Sequence, residues 1–552
     1  MATETGYRHG IYTSEVATSI TPMITAATPT VAFGVAPIHL ASDPASANVP
    51  VLCYNLEEFV NQFGWSDDFD KYTLCEVAQV FFQLFNVSPV VFVNVLDADT
   101  NSKSSTTEIE GVSIPATLTA PIILSTLAVT SGTRPVEKTL IGVTGTEPIT
   151  IPAEIDATDF VVKAGEVELT LTTDYTVSNG KITLTEDGLE KVDGSLTFTS
   201  GVDTYVELVK DTDYTAEHDK TGNTILTIIS TSKVVEDKIS VSYREIDADT
   251  VTASDIIGGV DIVTGKNTGL ELVEEVYPRF SMVPGNLIAP KYSTNSAVAA
   301  ALHAKAQYIN GVFKAMAIAD ISTTTVRKYT DINREKNQAN YCDPFLIAAY
   351  PKVALGGVQY HLSTQAAAVC GLVDTAHDDI PYKSPSNESL QCDQTNLADG
   401  TDIFLGKAQA NYLNGVGVVT ALNFIGGWKL WGNRTSAYPS TSDPKDSFIP
   451  VRRMFNWVAN TLVTSFWSKI DDPLNRRLID SVIDRANIWL NGLVARGALI
   501  GGRVEFLKSE NPETDLLDGI IRFHVYIAPP TPAREISFIQ EYDVNYLSTL
   551  FE

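Results

Sequence analysis

PVVFVNVLD, residues Pro89 to Asp97, is an almost unbroken apolar run that opens on a proline and closes on an aspartate. A strand with one wet face alternates polar and apolar residues, whereas a strand covered on both faces reads as continuously apolar. The run therefore predicts a strand inside a sheet that carries helices. Upstream, TVAFGVAP (30–37) reads as another strand. Asn55 precedes LEEFVNQFG, where Leu56, Phe59, Val60 and Phe63 share a helical face and Gly64 ends it. Leu74, Val77, Phe81, Phe82 and Phe85 mark a second helix, so residues 30–97 read β-α-α-β. The pattern returns beyond 250. FSMVPGNLIAP, FKAMAIADI and FLIAAYP are buried-strand runs, separated or followed by the helical SAVAAALHAKAQYI and LSTQAAAVCGLVDTAH. Such alternation predicts an α/β layer with a mostly parallel sheet.

Between these halves the texture changes. Residues 100–249 are rich in Thr, Val, Asp and Glu, and short alternating runs recur, among them DFVVKAG, KITLTEDG, GSLTFTS and KISVSYREI. VELTLTTDYTV with KITLT resembles VELVKDTDYTA with TILTI, the two DYT triplets beginning at Asp174 and Asp213. The segment predicts an all-β insertion of one or two small sandwich-like modules. Its 25 acids against 11 bases supply half of the chain's charge deficit.

SAYPSTSDPKDS (436–447) reads as a linker into a C-terminal α+β unit. RRMFNWVANTLVTSFW is amphipathic, and a second helix is expected to start at an Asp472 cap with Pro473 in its first turn. GRVEFLKS, GIIRFHVYIAP and a terminal strand complete an ααβββ order. In EISFIQEYDVNYL (535–547), Ile536, Phe538, Tyr542, Val544 and Tyr546 fall on one face of an extended chain, beyond the prolines 529, 530 and 532. At the other end Gly10, Ile11, Tyr12 and Val16 belong to GIYTSEV, strand-like and without a nearby partner. Strands behind stiff or polar hinges can pair with a neighbouring molecule. The expected fold is thus α/β and α+β multidomain. Residues 1–20 form an arm, 21–99 with 250–435 an α/β domain, 100–249 an all-β insertion, and 436–552 an α+β domain with a linking arm from about 535.

The chain has 552 residues and a net charge of −28, with pI near 4.6. Such a charge repels nucleic acid and anionic membranes. Cysteines 53, 75, 342, 370 and 392 are odd in number and form no CxxC, which fits folding in a reducing compartment. MATETGYRHGIYTSEV has no basic-then-apolar order, so no Sec-type signal peptide is expected, and no run of 18 apolar residues predicts a membrane span.

Chemical motifs are sparse. GGVDIVTGKNTG has five residues between Gly259 and Gly265 where a phosphate loop needs four, and Asn267 stands where Ser or Thr should hold magnesium. It reads as a turn before a helix. IGGWKLWGNR lacks GxGxxG. His377 in DTAHDD has Asp374, Asp378 and Asp379 beside it, but the acids are adjacent and no second His is near, so a solvated loop is the simpler reading. HExxH and GxSxG are missing. No cofactor, metal or nucleic-acid site is expected. An α/β enzyme with a β accessory module, or a β-repeat surface adhesin, stands as the alternative.

Several segments together resemble the sheath proteins of contractile phage tails and related bacteriocin particles. They are Gly258, Gly259, Asp261, Thr268, Gly269, Leu270, Pro284 and Gly285 in GGVDIVTGKNTGLELVEEVYPRFSMVPG; Asp374, Ser384, Pro385 and Asn387 at and after the Ala-rich helix; Trp431–Thr435 (WGNRT); and the PARE-I-x-F segment after the two C-terminal helices. The match covers roughly 1–97 and 250–552. The resemblance implies a structural, non-enzymatic subunit that polymerises with itself in stacked hexameric rings around an inner tail tube protein. Baseplate and tail terminator proteins would be its other partners, with no direct membrane insertion. It also implies terminal arms that donate strands to adjacent subunits, contraction from an extended metastable state to drive the tube through a host cell envelope, and assembly in the bacterial cytoplasm into a virion or phage-tail-like particle. The insertion would lie outermost.

Overall fold

In a computed structural model the protein is described over residues 28–110, 115–201, 204–219 and 221–550. Strands β1 (Thr30–Gly34), β2 (Pro50–Cys53), β3 (Val90–Asn94), β4 (Asn286–Ile288), β5 (Met316–Asp320), β6 (Leu346–Ala349), β7 (Val418–Asn423) and β8 (Trp428–Trp431) form one sheet, in the order β2-β3-β1-β4-β5-β6-β7-β8. Neighbours from β3 through β7 run parallel, and β2 and β8 close the edges antiparallel. Every residue of β1, β3 and β5 is buried, the burial that their continuous apolar sequence demands. The mixed α/β class is the one read from the sequence. β2 escaped that reading because PVLC is short and starts on a proline, which an edge strand tolerates and a central strand does not.

The chain leaves this sheet after β3 and returns before β4. At the exit, Asn101 Nδ2 donates to Thr250 Oγ1 at 2.9 Å and the Asp247 N–H donates to the Asn101 carbonyl at 2.9 Å. Between these points lie two nested β units. The first joins a four-stranded sheet (Val206–Leu208, Ala128–Ser131, Lys238–Ile246, Ser102–Glu110) to a three-stranded one (Tyr214–His218, Thr224–Ile228, Ala116–Leu118). The second, strung between Ser131 and Val206, repeats the plan with Val167–Leu169, Phe160–Ala164, Ser195–Ser200 and Val136–Ile141 beside Tyr175–Ser178, Lys181–Leu184 and Ile149–Thr150. Each closes on its own apolar cluster, Val129, Leu208, Leu226 and Val241 in one, Val162, Leu169, Leu196 and Phe198 in the other. The repeated DYT triplets hold equivalent places. The Asp174 carboxylate accepts from the Thr170 N–H at 2.8 Å and from Lys191 Nζ at 2.6 Å; that of Asp213 accepts from the Val209 N–H at 2.9 Å and from Lys233 Nζ at 2.7 Å.

Helix α1 (Leu362–Thr375) packs on β4, β5 and β6. Helices α2 (Ile449–Phe466) and α3 (Arg476–Ala495) follow β8. The α3 cap differs from the sequence expectation. Asn475, not Asp472, accepts the Leu478 N–H, at 3.0 Å. Pro473 lies outside the helix, and the side-chain amide of Asn475 takes the capping position three residues ahead of that donor. Strands β9 (Gly501–Glu505) and β10 (His524–Ala528) pair antiparallel. The expected third strand is not formed within the protomer. Residues 529–543 carry no regular structure and Val544–Leu550 is a 3-10 turn, because an alternating segment becomes a strand only against a ladder and none in this protomer receives it. Among the described residues no helix is long and apolar enough to cross a membrane.

Candidate assembly interface

α2 and α3 bury Met454, Trp457, Val458, Ala486, Leu490 and Leu493 in one cluster, which Val504 of β9 also joins. The β9–β10 pair thus rests on α3, with one face covered. Its two outer edges differ. On β9, the Val504 N–H donates to Asn487 Oδ1 at 2.7 Å and the Val504 carbonyl accepts from Asn487 Nδ2 at 3.1 Å, so a helix side chain caps the edge. Val504 is opposite Val525. Groups of an antiparallel pair that face away from one another on one strand do so on the other, which turns the Val525 and Ile527 main-chain groups to the far side of β10. No described residue forms a ladder with that side. An unpaired edge is a template for another chain.

β10 runs directly into the tail. Ile536 is 72%, Phe538 87%, Ile539 95%, Tyr542 75%, Val544 63% and Tyr546 74% exposed. Six large apolar side chains in water within eleven residues are a surface that wants a cover. Residues 530–543 could reach roughly 45 Å if extended, at about 3.3 Å per residue. Of the residues read as arms, Gly10, Ile11, Tyr12 and Val16 lie outside the described residues. Ile536, Phe538, Tyr542, Val544 and Tyr546 lie on this tail, and the protomer does not gather them onto any of its own sheets. The sequence reading missed the edge of β10, since a run such as FHVYIA reports a strand without reporting how many partners it has.

The other motifs have structural roles. Gly258 (φ 64°) and Gly269 (φ 58°) lie back to back, and a Cβ on Gly258 would stand 1.9 Å from the Thr268 carbonyl and 2.7 Å from the Gly269 Cα. Asp261 accepts the Val263 and Thr264 N–H groups at 2.7 and 2.9 Å, closing the small hairpin. Arg434 of WGNRT lies over the rings of Phe448 and Tyr438, 3.7 and 4.4 Å from their centroids. Asp374 departs from the solvated loop expected of it. It is buried and pairs with Arg453 of α2. His377 Nδ1 meets the Val373 carbonyl at 2.7 Å, and no cluster of three potential metal ligands occurs among the described residues.

A parallel sheet that carries a nested β insertion and a helical C-terminal unit ending in an uncovered tail defines a sheath-like fold. Solved structures place it: the helical sheath of the anti-feeding prophage in its contracted state aligns over 97% of this chain and 99% of that one, with a TM-score of 0.51 and 14% identity. No family model matches the chain. In sequence it is 27% identical over 375 residues to the tail sheath protein of Burkholderia phage BcepMu, covering 66% of this chain and 74% of that protein. It is 24% identical over 325 residues to a putative prophage major tail sheath protein of Pseudomonas aeruginosa strain UCBPP-PA14, covering 57% and 79%. The resemblance read from the sequence holds. The chain is similar to tail sheath proteins, which are structural proteins and not enzymes.

Proposed function

We propose that this chain is the repeating subunit of a contractile sheath, built in the bacterial cytoplasm as hexameric rings stacked around an inner tube between a baseplate and a terminator. In this reading the α/β domain (21–99 and 250–435) forms the wall, the insertion (100–249) faces outward, and the C-terminal domain (436–552) links subunits. The tail, with Ile536, Phe538, Tyr542, Val544 and Tyr546, pairs with a neighbour's β9–β10 sheet, first of all along the outer edge of β10. The N-terminal residues Gly10–Val16 serve as a second arm. Main-chain pairing suits a lattice that must rearrange, because it asks for backbone register and not for a particular side-chain surface. Contraction is then relaxation of a metastable extended lattice to a shorter one, which drives the tube through the target envelope without a nucleotide.

The observation that carries this reading is the coexistence, in one protomer, of an apolar exposed tail and an unpaired strand edge. Deletion of 535–552 tests it. The expected product is a folded, soluble protein that forms no tubes in negative-stain images while the full chain does. Striated tubes from the truncated protein would refute the arm role.

A further inference from the structure

A cleft of about 260 Å³ opens at the carboxyl ends of β5 and β6, with Lys291, just beyond β4, on its wall. Open parallel sheets hold ligands at that end of their strands. Its floor is made of buried polar groups whose partners are mostly accounted for. The Asp320 carboxylate accepts the Ser363 N–H at 2.9 Å in the first turn of α1, with the Ser363 hydroxyl beside it. Glu76, also buried, accepts from the His361 N–H at 2.7 Å and lies 2.7 Å from its Nδ1. That contact assigns a proton to Nδ1. His361 itself, 5% exposed, lines the cleft, and its Nε2 makes no hydrogen bond to the described residues.

The rim is basic and hydroxyl-rich. Lys352 is buried nearly to its tip, 12% exposed, and its nearest anion is the 85% exposed carboxylate of Asp70, 3.5 Å away. Lys291 donates to the Asp70 carbonyl at 2.8 Å from a left-handed backbone (φ 70°) that a lysine adopts only under constraint. Ser322, Thr323 and Thr324 add three hydroxyls along the segment that leaves β5. The acids of the floor are engaged by their own donors, Asp320 by Ser363 and Glu76 by His361. The groups left for a ligand are two ammoniums, three hydroxyls and an imidazole nitrogen, and Asp70 rests on the ammoniums like a loosely held substitute.

We propose that this cleft binds a small phosphate-bearing polyol, whose phosphate displaces the Asp70 carboxylate from Lys352 and lies within reach of Lys291 and the Ser322–Thr324 hydroxyls. An ammonium buried nearly to its tip interacts with an anion more strongly than one in water, and His361 in the same lining offers an imidazole to the polyol hydroxyls.

Isothermal titration calorimetry on the full chain, with glycerol 3-phosphate, inorganic phosphate and glycerol as probes, tests the proposal. Saturable binding of glycerol 3-phosphate, weaker binding of inorganic phosphate and none of glycerol are expected. Lys352→Met should weaken the first at least tenfold with the circular dichroism spectrum unchanged. Asp70→Asn, an exposed change that removes the competing acid, should tighten it severalfold, and keeps the test alive if Lys352→Met does not fold. No saturable binding of either phosphate, equal binding of glycerol, or a weaker Asp70→Asn would each overturn the assignment.

Discussion

Asp374 at the end of α1 and Arg453 in α2 form a two-pronged ion pair, Arg453 Nη1 to Asp374 Oδ1 at 3.0 Å and Nη2 to Oδ2, with both side chains over 90% buried. The pair ties the helix that packs on the main sheet to the helix that opens the C-terminal unit. Burial opposes the charge on Arg453, but the adjacent carboxylate outweighs it and holds the guanidinium above its ordinary range. Removing one partner strands a buried charge, at about 3–5 kcal/mol, whereas replacing both by apolar residues of similar volume can be neutral. Arg453→Met is therefore expected to lower unfolding free energy by about that amount in urea titrations, and Asp374→Leu with Arg453→Met to recover most of it.

The glycine pair of the GG…TGL segment gives a sharper contrast. A Cβ on Gly258 would strike the Thr268 carbonyl from a left-handed backbone, while a Cβ on Gly259 meets nothing within 4 Å and has no such backbone. Gly258→Ala should cost more than the ~1–3 kcal/mol of backbone strain alone. Gly259→Ala should stay within about 0.5 kcal/mol of the parent chain. Thermal melting of the two variants side by side reads the difference.

Much of this fold was legible in the chain. Pro89–Asp97 and its counterparts at 316–320 and 346–349 announced a covered sheet because burial on both faces leaves only apolar residues to choose from. The DYT repeat left open one module or two, and it did not report that one sits inside the other, since nesting is set by contacts between strands over a hundred residues apart, such as Ser102 with Ile246. Asp374 was misread because an acid beside His377, Asp378 and Asp379 looks solvated until Arg453, 79 residues on, arrives at it. The tail was legible in pattern and not in state. Period-two alternation records that a strand is wanted, and the ladder it joins need not lie in the same molecule.

The neck of the insertion invites excision. Ser102 and Ile246 are cross-strand partners, and the Asn101–Thr250 and Asp247–Asn101 bonds hold the two chain crossings together outside them. A chain in which 105–245 is replaced by a short Gly-Ser turn should keep the main sheet, since the ends to be joined are already neighbours and a short closure costs little. The expected result is a cooperative melt and intact tube formation. Loss of all assembly would place the insertion inside the lattice and not on its surface.

The contact between insertion and sheet holds two histidines, His39 and His218. His39, in the turn Ile38–Leu40, lies 5.8 Å from His218 of the first β unit and 6.1 Å from Tyr72, centroid to centroid. Burial, then the nearby His218, holds the His39 imidazole down to about 3 from 6.5. His218 is lowered too, by burial, with Asp219 acting the other way. The unfolded chain takes up a proton below pH 6.5 that the folded chain refuses until about pH 3, so the contribution is whole above 6.5 and lost as pH falls toward 3. The melting temperature should therefore fall between pH 7 and 5 by more in the parent chain than in His39→Phe.

The edge of β10 separates pairing by backbone from pairing by side chains. The Val525 N–H faces away from β9, where a proline's missing donor and fixed φ are tolerated at a strand edge. Val525→Pro is expected to leave the melting temperature of the isolated subunit nearly unchanged, because no bond within the protomer depends on that hydrogen. In a lattice joined by donated strands the same change deletes a ladder bond in every subunit and forces the incoming chain away from the edge. Tube yield by sedimentation should then collapse, as it should for Phe538→Asp, which charges the face of the tail that is to be buried. If Phe538→Asp stops assembly while Val525→Pro does not, the tail docks through its side chains on some other surface and the edge of β10 is not its seat. If neither stops it, the exposed tail has no part in joining subunits.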